Sequence, residues 1–159
     1  MFSVALTAIA FGPTLGVKAA PICFGSRDVV SPDGQLFAKV RQIGRTGCGE
    51  SLIKILNRAG RTLAERSFRS ADGEHGAGVE ETGWSTDSQY FAFSLSSSGG
   101  HQADHFPTFI FSRRGRRILD VEDLSPGTYI AQPHFVFSRG AIEVTGTDGR
   151  RVKAHLPSD

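Results

Sequence analysis

The 159-residue sequence predicts an all-β domain of antiparallel, blade-like sheets. Three observations carry that prediction. Apolar residues recur at every second position, as in Leu36, Ala38 and Val40, and Phe109/Phe111 and Phe135/Phe137 repeat the pattern around Ile110 and Val136. About ten such runs are bounded by Gly, Pro, Asp and Ser, the punctuation of short strands. Second, a sustained helical stripe is missing: Asn57 and Gly60 interrupt the best helical candidate, Ser51 to Ala64. Third, two turn sequences recur in the same order, one from Ser31 at Ser85 and one from Asn57 at Ser112.

Composition sets the outer bounds. With 39% hydrophobic and 21% charged residues, the chain has enough apolar material for a core, and global disorder is not expected. A formal charge of +2 does not advertise nucleic acid or an anionic membrane as a partner. After the first 20 residues no apolar run approaches the length of a transmembrane helix.

At the N-terminus, Val4 to Phe11 is a short apolar run broken by Gly12-Pro13. Val17 and Ala19 stand where a signal peptidase expects small residues, so residues 1–19 read as a signal peptide. No Lys or Arg precedes the apolar run, and a buried N-terminal strand or helix is the alternative. The expected location is periplasmic or secreted. In an oxidising compartment, Cys23 and Cys48 are expected to form a disulfide, worth about 3 kcal/mol in the chain-entropy model. Two unrelated buried thiols are the other possibility.

Residues 20–159 then read as a single all-β domain with repeat units at about 24–76, 77–128 and 129–157. In the first unit, Pro32 sets φ, Asp33 caps the turn and Gly34 supplies a positive φ before the strand from Leu36. Ser51 to Leu56 and Arg61 to Phe68 read as a hairpin about Asn57 to Gly60. In the second unit, Ser85 to Gln89 repeats the Asp turn before Tyr90, and Gly115 repeats the tip. The third unit is abbreviated, with Phe137 to Ile142 as its first turn and Thr147-Asp148-Gly149 as its Gly tip. Such a unit hides its apolar face only by stacking on a neighbour. The final run, Arg151 to Pro157, alternates charged and apolar residues and ends in Pro, as a protected sheet edge does.

Gly83-Trp84-Ser85-Thr86-Asp87-Ser88-Gln89-Tyr90-Phe91-Ala92-Phe93-Ser94 resembles the signature of TolB-type β-propeller repeats: Trp-Ser-Pro-Asp-Gly followed by an apolar-Ala-apolar strand. Ser31 to Ala38 resembles it too, with Val30 in the Trp position. Thr86 and Ser88 depart from the Pro and Gly of the signature. The resemblance implies a partial or oligomer-completed β-propeller, since rings typically close with four to eight blades; a β-sandwich is the alternative architecture. It also implies that Trp84 packs between adjacent units; a sugar-stacking surface at Trp84 and Tyr90 is the competing reading.

Two clusters are candidate sites. His101, Asp104 and His105 offer N and O ligands within five residues, with His75 or His134 available after folding; zinc takes such sets, and a plain polar loop is the other reading. Arg113, Arg114, Arg116 and Arg117 crowd one tip, where guanidinium forks suit phosphate or sulfate. Charge balance against Asp120, Glu122 and Asp123 explains the same tract. Ser96 to Ser98 precede no helix, so no nucleophile elbow forms; Glu80-Glu81 has no evident carboxylate partner, and Gly76-Ala77-Gly78 is followed by no helix. No catalytic residues and no cofactor are assigned. The expected function is an exported, non-catalytic binding module with a protein partner, no nucleic acid, and a possible homo-oligomeric state. The alternative is a small-ligand protein, carbohydrate or metal, using the 99–105 loop, and a hydrolase ranks last.

Overall fold

The computed structural model describes residues 25–43, 49–98 and 104–157. The protein is all-β, and its described strands fall into three antiparallel sheets. The first contains β1 (Arg27–Val30), β2 (Leu36–Ile43), β3 (Glu50–Asn57) and β4 (Thr62–Ser67), paired in chain order. The second contains β5 (Ala77–Trp84), β6 (Tyr90–Ser97), β7 (Thr108–Ser112) and β8 (Arg117–Asp120), again in chain order. The third has β9 (Ile130–Ser138), β10 (Ala141–Gly146) and β11 (Arg151–His155). Cys23, Cys48, His101 and the candidate signal peptide 1–19 lie outside the described residues.

Strand periodicity decides how the sheets stack. In β6, Phe91, Phe93 and Leu95 join Leu36, Ala38, Val40, Ile53 and Ile55 of the first sheet in one core. The intervening Ala92 joins Ile142, Val144 and Ala154 of the third sheet in another. Strand β7 divides the same way, with Phe109 and Phe111 on one side and Ile110 on the other. The second sheet is therefore the middle layer, covered on both faces. This accounts for the near-continuous burial along its central strands β6 and β7, where β2 of the first sheet alternates.

The two Asp turns are built alike. The Ser31 hydroxyl donates to Asp33 Oδ1 at 2.6 Å and accepts from the Leu36 N–H at 2.9 Å. The Ser85 hydroxyl donates to Asp87 Oδ1 and accepts from the Tyr90 N–H at the same two distances. Gly34 takes φ +67°, and Ser88, its counterpart, takes +61°. A left-handed serine costs about 1–2 kcal/mol. Here its hydroxyl accepts from the Asp33 N–H at 3.1 Å, tying the first sheet's turn to the second's. Trp84 makes another tie: its ring lies 5.0 Å from Phe91, and its Nε1–H donates to the Val29 carbonyl at 3.1 Å.

The third sheet differs from the expected pattern at its Gly tip. Gly60 and Gly115 join the third and fourth strands of their sheets, whereas Gly149 joins β10 to β11, the second and third. A short Gly turn does not encode its place in a sheet; strand pairing does. One helical turn, α1 (Val121–Leu124), follows β8 and is N-capped by Asp120, whose side chain accepts from the Glu122 N–H.

Candidate functional site

Two connections leave the same end of the first and second sheets: residues 68–76 between β4 and β5, and the connection between β6 and β7, of which Ser98 and residues 104–107 are described. Ser98 clips them together: its N–H donates to the Gly76 carbonyl at 3.0 Å and its hydroxyl to the Glu74 carbonyl at 2.8 Å. Between the loops lies a cleft of about 370 Å³. Arg69, Ser70 and His75 line one side, Ser96, Ser97 and His105 the other, and Phe68 and Pro107 add apolar surface. The Phe68 ring, 5.1 Å from that of Phe109, closes this end of the first core.

Glu50 organises one wall. It is fully buried, and its Oε1 accepts from the Ser70 N–H at 3.0 Å, the Gly76 N–H at 2.9 Å and the Ser70 hydroxyl. Its Oε2 has no hydrogen bond among the described residues. The donors stabilise the anion, the Ser70 hydroxyl most, and hold the carboxyl below the usual glutamate range against the opposing effect of burial. Gly76 is required by this close approach. A Cβ there would fall within 3.0 Å of the Phe68 carbonyl oxygen and the Glu50 carboxylate.

The imidazoles are held differently. His75 Nδ1 meets Asp72, which raises the imidazole's pKa through that hydrogen bond and through its charge. His105 Nε2 contacts Glu122 Oε1 at 2.8 Å, and its ring stacks on Tyr129 with centroids 4.2 Å apart. Tyr129 is itself exposed, so the stacked pair extends an aromatic surface outward from the cleft.

The predicted clusters are distributed as follows. His75 and His105 line one cleft, Asp104 is exposed beside it, and His134 sits apart, paired with Glu81 at 2.5 Å. No group of three potential metal ligands occurs among the described residues, and His101 lies outside them. In the Arg cluster, Arg113 turns back to Asp33, with Nη1 2.5 Å from Oδ2, while Arg114, Arg116 and Arg117 are exposed. Two of the nearby acids are occupied elsewhere: Asp120 caps α1, and Glu122 accepts from the Ile130 N–H at 3.1 Å as well as meeting His105. Tyr90 is anchored, donating to the Pro157 carbonyl at 2.6 Å. Sequence reasoning missed Glu50. The available signal was the donor-rich tract Ser70 to Gly76, which needs an acceptor but does not say which residue supplies it. No protein-family model matches the chain, and no curated protein shows significant similarity to it.

Proposed function

We propose that the protein is a non-catalytic binding protein whose loop-end cleft takes a polyhydroxylated ligand of the carbohydrate class. One observation carries this reading: hydroxyls and imidazoles line both walls of a cleft of about 370 Å³, with the stacked His105–Tyr129 pair at its edge. That volume lies in the range of small-ligand sites, and mixed polar and apolar lining suits a sugar, which presents hydroxyls at its rim and C–H bonds on its faces. Glu50 and the Ser98 clip preorganise the walls, so little ordering accompanies binding. Export, as expected from residues 1–19, agrees with such a ligand.

A glycan array followed by NMR titration with the best-bound sugar tests it. Saturable shifts are expected in the amides of residues 69–76 and 96–98, and Tyr129→Ala is expected to weaken binding by about tenfold, the scale of one lost aromatic contact. An array without binders, together with unmoved cleft amides at millimolar mono- and oligosaccharides, would refute the reading.

A further inference from the structure

The two Asp turns share their internal hydrogen bonds but not their surroundings. In the first copy a guanidinium holds the carboxylate: Arg113 Nη1 lies 2.5 Å from Asp33 Oδ2. Arg113 occupies a definable position, since its N–H donates to the Gln89 carbonyl at 2.9 Å just beyond the β6–β7 pairing. In the third sheet, the Leu156 N–H donates to the Gly140 carbonyl at 2.9 Å just beyond the β10–β11 pairing. Leu156 therefore stands, one sheet on, where Arg113 stands. Asp87, the counterpart of Asp33, meets a leucine position instead of an arginine.

The place of the missing guanidinium is open. A cleft of about 570 Å³ lies between the second and third sheets, with Asp87 and Leu156 both in its lining. Tyr90 and Phe137 supply aromatic surface, and Arg139 provides a positive charge. Among the described residues neither Asp87 nor Arg139 forms an ion pair. Carboxylates bind guanidinium through paired N–H···O bonds, and aromatic rings accept its flat face.

We infer that the cleft between the second and third sheets binds a guanidinium cation, with Asp87 as its carboxylate partner, in the arrangement that Arg113 and Asp33 make within the chain. The chemistry has two sources. One is an arginine side chain of a protein partner. The other is free arginine, whose α-carboxylate would face Arg139. The site is separate from the loop-end cleft and does not depend on the ligand proposed there.

NMR titration of the full chain with L-arginine, N-acetyl-L-arginine amide and N-acetyl-L-lysine amide tests the inference. Both arginine probes are expected to shift the amides of Asp87 to Tyr90 and of Gly140, and the lysine probe to bind at least about tenfold more weakly because it lacks the planar fork. Equal affinity for the two arginine probes identifies a partner's side chain as the source. Tighter binding of L-arginine identifies the free amino acid. Asp87→Asn keeps the turn's acceptor oxygen and is expected to lose binding by about tenfold or more, on the scale of a charge-assisted pair. Leu156→Arg installs the guanidinium of the first copy and is expected to abolish binding by occupying the cleft. Unmoved amides at 50 mM arginine probes (roughly the weakest range worth assigning), or undiminished binding by both variants, would overturn the site.

Discussion

Replacing Phe93 by alanine is expected to destabilise the protein by about 3–5 kcal/mol, the cost of emptying a fully buried aromatic site. Phe93 has no exposed surface, and its ring meets Phe68, Phe91 and Phe109 at centroid distances of 5.7, 6.0 and 5.6 Å. It lies on the face of β6 that joins the second sheet to the first, so its removal opens a void between the two layers. Chemical denaturation is the measurement. Val136→Ala is the control: Val136 is 53% exposed on the outer surface of β9, and its loss is expected to cost less than about 0.5 kcal/mol. Comparable losses for the two variants would mean that the layers are not packed as described.

The second large effect is expected at Gly76. Gly76→Ala places a methyl group against the Phe68 carbonyl and the Glu50 carboxylate, and one of them must move. Moving the carboxylate strips acceptors from the Ser70 and Gly76 N–H groups. Overpacking and unmade buried hydrogen bonds together are expected to cost about 2–4 kcal/mol. The variant is also expected to lose the loop-end cleft, seen as altered amide shifts across residues 69–76. Acid titration isolates the role of Glu50. Its folded-state pKa is depressed, so its contribution is fully present above the ordinary glutamate range and is lost as the pH falls through the folded value. The protein is expected to lose stability on acidification below about pH 4. Glu50→Gln keeps the volume and an acceptor oxygen, and it is expected to flatten that acid limb. An unchanged acid limb in Glu50→Gln would assign the acid sensitivity to other carboxylates, such as Asp33 and Asp87, which are also held low by their turn hydroxyls.

Much of this architecture was legible in the sequence because local chemistry specifies it. The Ser31 and Ser85 turns announce themselves through their own hydroxyl and carboxylate, which bond within five residues. The hairpin of β3 and β4 follows from Asn57, whose side chain accepts from the Arg61 N–H at 2.9 Å. Phe-rich β6 and β7 signal burial on both faces. What stayed hidden depends on pairing between distant residues. Glu50 reaches Ser70 and Gly76 across 20 and 26 positions, and neither spacing nor periodicity marks it. The Arg cluster misleads for the same reason: side by side in the chain, its members separate when Arg113 returns 80 positions to Asp33. The imidazoles likewise share residue type but not surroundings, since β9 places His134 beside Glu81, apart from the cleft that His75 and His105 line.

Native-state hydrogen exchange, read residue by residue, tests the layered arrangement most directly. With the second sheet sheltered between the other two, the amides paired between β6 and β7 are expected to exchange most slowly, opening only with global unfolding, while β1, β4 and β11 at sheet edges exchange fastest. Rapid exchange along Phe91 to Leu95 and Phe109 to Phe111, at rates like those of the edge strands, would contradict a middle layer covered on both faces.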